Sequence, residues 1–185
     1  MSFHLKLIVF VVASGAITWV SWRPLRDLRS HGFYRFFAFE AILLLILLNL
    51  DYWFNEPLSY RQLVSWLLLA VSLFLVVHSA LLLRRLGRLN RERRDPSLIG
   101  IEKTTELVTT GAYCYIRHPM YSSGVVGIWG VFLKHPSWLG VCLAVLTVFF
   151  FYLTARMEEA ENISFFGDTY RDYMKRTKMF VPFLF

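Results

Sequence analysis

The sequence predicts an all-α integral membrane protein of about five transmembrane helices, the last two forming a hairpin, followed by a cytosolic C-terminal helical segment. Three observations lead there. Of the 185 residues, 56% are hydrophobic and only 18% are charged, below the roughly 25% charge of a soluble domain, and mean hydropathy is +0.48. Apolar runs recur at lengths that match a hydrocarbon core of ~30 Å, which takes about 20 helical residues to cross. The basic residues, finally, sort to one side of those runs.

The first run covers residues 5–22. Lys6 and the apolar stretch behind it imitate a signal peptide, but the stretch is long. Trp19, Trp22 and Arg23 also stand where a cleavage site needs small residues, so it reads as a retained span. Residues 33–54 and 62–83 supply the second and third spans. A shorter run, 122–133, either extends back through Met120 and Tyr121 or forms a helical hairpin with the fifth run, 138–155, across Lys134-His135-Pro136. Beyond it, Tyr170 and Tyr173 fit the apolar side of an interfacial helix. Residues 1–103 therefore read as three anchor helices with a basic cytosolic loop. Residues 104–185 read as a second region with two membrane helices and a C-terminal helical segment.

All but three of the 20 Lys and Arg residues (Lys6, Arg61 and Lys134) fall on one side of this layout. They include Arg23, Arg26, Arg29 and Arg35 in the first loop. Arg84, Arg85, Arg88, Arg91, Arg93, Arg94, Lys103 and Arg117 precede the fourth run, and Arg156, Arg171, Lys175, Arg176 and Lys178 lie in the tail. Cytosolic loops carry this excess, so that side faces the cytosol. The net charge of +7 does not point to nucleic acid, since no binding fold or aromatic-basic interleaving accompanies it. Attraction to anionic headgroups, about 1 kcal/mol per residue, accounts for it. Two cysteines, Cys114 and Cys142, are too few for a disulfide framework or a cysteine metal site, and no metal is expected.

Polar chemistry concentrates at Arg117-His118-Pro119-Met120-Tyr121 and at Glu158-Glu159. Gly111 in the approach, 107–113, is able to take positive φ. Pro119 suits the first turn of a helix and pushes His118 out of the α region. The uncapped N–H groups of that turn suit an anionic group such as the carboxylate of a cofactor's amino-acid tail. Glu158 and Glu159 point to different faces of one helix, so one can meet a ligand while the other pairs with an arginine. Glu40, Asn49, Asp51 and His78 are polar positions within the earlier spans; Asn49 and Asp51 read as interfacial, and Glu40 and His78 as candidates for a lipid pathway.

Taken in order, Leu-Val-Thr-x-Gly-x-Tyr at 107–113, Arg-His-Pro-x-Tyr at 117–121, Glu-Glu at 158–159, Phe-Gly-x-x-Tyr-x-x-Tyr at 166–173 and Val-Pro at 181–182 resemble one family. It is that of the integral-membrane methyltransferases typified by isoprenylcysteine carboxyl methyltransferase, with phospholipid N-methyltransferases as relatives. The resemblance covers residues 104–185. It implies an S-adenosylmethionine-dependent enzyme with no Rossmann domain. Carried over by position, Thr105, Glu106, Leu107, Val108, Tyr113, His118, Pro119, Met120 and Tyr121 would line the cofactor, and Glu158 would contact it from the other side. Arg156 is the candidate for a substrate carboxylate, and Glu159 is a candidate catalytic carboxylate. Ala112, Cys114 and Ser123 depart from the family's pattern of proline, a basic residue and glycine, with Gly124 one place late. These departures bear on the substrate more than on the cofactor.

Methyl transfer from a sulfonium to a carboxylate or thiolate needs no base at neutral pH, and orientation alone can supply roughly 7–11 kcal/mol. The rings of Tyr113, Tyr121 and Tyr170 offer a cation about 0.5–2 kcal/mol each, which aids binding rather than the chemical step. A phospholipid amine would first have to lose a proton to a base such as Glu159 or His118. The expected partners are the bilayer and a lipophilic or prenylated acceptor, with no nucleic acid. The expected location is a bacterial or archaeal inner membrane or the endoplasmic reticulum. A phospholipid N-methyltransferase, a small-thiol S-methyltransferase, an NADPH-dependent sterol-type reductase and a non-catalytic scaffold are the competing readings.

Overall fold

The computed structural model describes residues 2–87 and 104–184, which form helices, turns and loops with an isolated β-bridge pairing Ile116 with Lys178. Among the described residues there are six α-helices: α1 (Phe3–Ser21), α2 (His31–Asn49), α3 (Tyr60–Leu86), α4 (Pro119–Phe132), α5 (Trp138–Phe166) and α6 (Asp168–Arg176). Arg88, Arg91, Arg93, Arg94 and Lys103 of the basic loop lie outside the described residues.

Sequence signals for the helix starts are local. Ser2, Ser30, Ser59 and Ser137 each accept a backbone N–H of the following first turn, so all four long helices begin at a serine N-cap. α4 begins at Pro119, whose missing N–H costs nothing at a first helical position. α1, α3, α5 and α2 with its terminal turn to Tyr52 are long and apolar enough to cross a membrane. The fourth apolar run forms α4, only 14 residues or ~21 Å long, and is packed between α3 and α5. It does extend back through Met120 and Tyr121, and it also forms the hairpin with α5. α5 runs on to Phe166, past the apolar limit at 155, so its last turns project beyond the apolar stretch.

Cross-chain contacts fix which helix ends lie together. At one end Lys6 pairs with Asp51 at 2.7 Å, Asn49 Nδ2 donates to the Val131 carbonyl at 2.8 Å, and Arg61 donates to the Lys134 carbonyl at 2.6 Å. At the other end Tyr121 meets Glu158 and His31 meets Glu161. Consecutive helices therefore alternate in direction, and α2 and α4 run parallel.

The core is built from small residues that let helix backbones approach. Ala38 and Ala41 of α2 are buried against the Phe151, Ala144 and Ala155 side of α5. α3 is stitched to α4 by hydroxyls, Ser65 to the Gly130 carbonyl at 2.7 Å and Ser72 to the Ser123 carbonyl at 2.8 Å. Within the bundle Ser14 donates to Glu40 at 2.9 Å, joining α1 to α2. Lys134, with no exposed surface, donates to Gln62 at 3.0 Å and lies 3.2 Å from the Trp66 ring centre. There the lysine charge is held by an aromatic face and an amide in place of a carboxylate.

Candidate active site

The C-terminal segment zips onto the His-Pro motif. Lys178 N–H donates to the Tyr115 carbonyl at 3.0 Å, Arg117 N–H to Lys178 at 2.8 Å, and His118 N–H to Met179 at 3.2 Å. Ser122 Oγ adds a bond to the Phe180 carbonyl at 2.8 Å, and Tyr173 Oη donates to the Tyr113 carbonyl at 2.6 Å. Gly167, at φ 61°, makes the sharp turn from α5 into α6 that allows this return.

Between these parts lies a small pocket, open at its mouth, with a cavity volume of about 70 Å³. It is lined from three directions. Leu83 of α3 with Thr104, Leu107 and Val108 forms one wall, and Tyr113 and Arg117 to Tyr121 form the second. Glu158, Asn162, Phe166, Tyr170 and Tyr173 form the third.

Glu158 and Glu159 are used differently. Glu158 faces the pocket, where Oε2 accepts the Tyr121 hydroxyl at 2.6 Å and lies 3.8 Å from His118 Nδ1. Glu159 is buried behind it and accepts from Arg117 Nε at 2.6 Å. Arg117 in turn caps the end of α6, donating to the Thr177 carbonyl at 2.5 Å and to Met174 at 3.4 Å. His118 is wedged between the two glutamates, its Nε2 3.4 Å from Glu159 Oε1 without hydrogen-bond alignment, and its ring stacks on Tyr121.

Burial, reinforced by the charges of Glu158 and Glu159, pushes the Tyr170 hydroxyl far above the usual tyrosine range. Burial does the same to Tyr173. Both stay neutral, so the pocket offers aromatic faces and hydroxyls next to one carboxylate. That donor set suits a cationic ligand with an aromatic part. The His118 side chain makes no capping bond to α4, which leaves first-turn amides suited to an anionic group. No group of three or more His, Cys, Asp or Glu residues able to hold a metal occurs among the described residues.

Of the residues expected to line a cofactor, Leu107, Val108, Tyr113, His118, Pro119, Met120, Tyr121 and Glu158 come together here. Thr105 and Glu106 do not line the pocket; their N–H groups donate to the Gly87 carbonyl at 3.0 and 3.2 Å, tying this turn to the end of α3, and Thr104 lines the wall instead. Arg156 lies apart, in a second pocket with Arg117, Tyr152, Lys178 and Leu184. Arg117 lines both pockets. Leu83, Asn162, Phe166 and Tyr173 were not singled out as site residues. The spacing Glu158, Asn162, Phe166, four residues each, puts all three on one face of a helix and was the available signal. Leu83 had none.

A family model described as phospholipid methyltransferase matches residues 60–169. The chain is 28% identical over 119 residues to methanethiol S-methyltransferase 1 of Bradyrhizobium diazoefficiens, 64% of this chain and 39% of that protein. It is 34% identical over 79 residues to the protein-S-isoprenylcysteine O-methyltransferase of Schizosaccharomyces pombe, 42% of this chain and 34% of that protein. Against the Mus musculus protein of the same name it is 39% identical over 83 residues, 44% of this chain and 29% of that protein. The chain thus spans well under half the length of these relatives. No solved structure matches it. With the matched segment covering α3 to the start of α6 and carrying most of the pocket, the chain belongs to the phospholipid methyltransferase family of integral membrane proteins.

Proposed function

We propose that this chain is an S-adenosylmethionine-dependent methyltransferase that acts on a lipophilic acceptor at the cytosolic membrane face. Its nearest likeness in chemistry is isoprenylcysteine carboxyl O-methylation. The observation that carries this reading is the juxtaposition of Glu158, Tyr121 and His118 in an aromatic pocket assembled from both ends of the matched region. The excess of Lys and Arg at this end supports its cytosolic placement.

When bound, S-adenosylmethionine supplies a methyl group on a cationic sulfur, passed in line to a nucleophile with neutral S-adenosylhomocysteine as product. Glu158 and the rings of Tyr113, Tyr121, Phe166 and Tyr170 would hold the cationic ligand, and the first-turn amides of α4 would take its carboxylate. Arg156 and Lys178 in the neighbouring pocket receive an anionic acceptor head. Tyr152 also lines an apolar groove on the outer face of α4 and α5, between Val125, Trp129, Val148, Phe149 and Phe180, which suits an acyl or prenyl chain. Glu159 is committed to Arg117, which favours an acceptor that is already ionised over an amine that must lose a proton.

A thiolate acceptor is the second reading, supported by likeness to the Bradyrhizobium methanethiol enzyme over 64% of this chain. Calorimetric titration of the purified protein with S-adenosylhomocysteine and with NADPH tests the cofactor. Binding of the first and not the second is expected; the reverse, or neither in folded protein, overturns the proposal. Labelled methyl incorporation into prenylcysteine, phospholipid and thiol acceptors then identifies the nucleophile.

A further inference from the structure

We infer that His31, outside the residues the family model matches, is a positioning residue that holds the cofactor-pocket face of α5 through Glu161. The inference rests on the reading of that pocket as the cofactor site. α5 is 29 residues, or ~44 Å, so its end outreaches a hydrocarbon core of ~30 Å and depends on specific side-chain contacts to hold it. On this projecting part Glu158, Asn162 and Phe166 face the pocket, and Glu161 faces α2.

Both oxygens of Glu161 are engaged by one residue. His31 Nδ1 lies 2.6 Å from Oε2, and the His31 backbone N–H donates to Oε1 at 3.4 Å. That amide belongs to the first turn of α2, where the helix dipole favours a carboxylate. His31 has no exposed surface, whereas the Glu161 side chain is 24% exposed. The anchor is therefore the histidine, and the carboxylate is what it holds.

The loop that delivers His31 is itself fixed. Ser30 Oγ accepts from Gly32 N–H at 3.2 Å, Asp27 accepts from Arg29 N–H at 2.9 Å, and Pro24 packs on Gly32 so closely that an added Cβ would lie 2.7 Å from Pro24 Cβ. The pocket side of the α5 extension is held by Tyr121 and Arg117, and the opposite side by His31. Removal of the second hold lets Glu158 and Asn162 drift while leaving their own contacts chemically intact.

The test uses the full chain in lipid nanodiscs, with His31→Ala, Glu161→Ala, the double variant and Glu161→Gln. S-adenosylhomocysteine affinity, the KM and kcat for methyl transfer, and amide hydrogen exchange across 157–166 are measured. Each alanine variant is expected to weaken binding about tenfold, the loss of a charge-assisted hydrogen bond, with KM raised and kcat nearly kept. The double variant should be no worse than either single one, and Glu161→Gln, which keeps one acceptor oxygen but not the charge, should recover part of the affinity. Exchange should rise across 157–166 and not at the centres of α2 and α3. Unchanged affinity and exchange in folded variants, or losses that multiply in the double variant, overturn the inference. If the wild type binds no S-adenosylhomocysteine, the cofactor reading falls, and the exchange data alone still decide whether His31 holds α5. If Glu161→Ala does not fold, His31→Ala and Glu161→Gln carry the same comparison.

Discussion

The Tyr121 hydroxyl donates to Glu158 Oε2 at 2.6 Å, joining the first turn of α4 to the projecting end of α5 across 37 residues of sequence. His118 and Phe151 both stack on that tyrosine, so the carboxylate is aimed by a packed ring.

Glu158→Gln should weaken S-adenosylhomocysteine binding, or S-adenosylmethionine binding more strongly still, because only the latter carries the sulfonium charge. Tyr121→Phe removes one bond to an ionised group and should cost about 1.5–3 kcal/mol of binding. Calorimetry on the single and double variants should show that the two effects do not add.

Arg117→Lys should destabilise the fold rather than merely slow turnover. The guanidinium serves Glu159 and two carbonyls at the end of α6 at once, a fork that an ammonium cannot reproduce. Arg117→Ala strands a buried carboxylate and should cost about 3–5 kcal/mol, readable in thermal unfolding. Adding Glu159→Gln should recover part of that loss.

Gly111→Ala should disturb the approach to the His-Pro motif. Gly111 sits at φ 61°, and an added Cβ would lie 2.6 Å from Leu82 Cδ1 and 2.9 Å from His78 Nε2. The backbone conformation alone costs an L-residue about 1–2 kcal/mol. His78 thus packs against the turn that carries Tyr113, and thermal unfolding together with cofactor affinity should both fall in the variant.

Lys134 gives a pH dependence of definite sign. Burial first, then the nearby Arg61 charge, lowers its pKa to about 8 from 10.5. A depressed lysine means that the unfolded chain binds more protons between those values, so this group makes stability rise from pH about 8 to about 10.5. Below pH about 8 the cost of holding the charge is fully present. Lys134→Met should abolish the alkaline rise in thermal midpoint and be neutral or stabilising at pH 7, as buried charges replaced by apolar groups often are.

Arg156→Ala should leave S-adenosylhomocysteine affinity unchanged, because Arg156 lines the second pocket and not the first. It should raise KM for an anionic acceptor about tenfold, the loss of a charge-assisted contact, as steady-state assays with a prenylcysteine acceptor would read. Lys178→Ala should act in the same direction.

The spans were legible because transfer of apolar side chains from water is a local property, summed along the chain. Hydropathy placed the four helices long and apolar enough to cross a membrane and the shorter α4, and Pro119 marked the start of α4 better than the apolar run did. The apolar run ends at 155 whereas α5 continues to Phe166, since hydropathy ends where the polar turns begin and helical geometry does not; placing Glu158 and Glu159 on one helix already required part of that continuation. Eight of the ten expected cofactor residues share one pocket, and Thr105 and Glu106 fall outside because their backbone is spent on Gly87.

By itself, then, the sequence determined the membrane class, the helix start at Pro119, and the polar motifs flanking the last two apolar runs, since each depends on residues within a few positions of one another. Only the tertiary structure decided which of two adjacent glutamates faces the pocket, which pocket receives Arg156, and that His31 meets Glu161 from 130 residues away. A helix offers every face equally to its surroundings. The face that becomes a site is chosen by what packs against the others, and no local pattern encodes that choice.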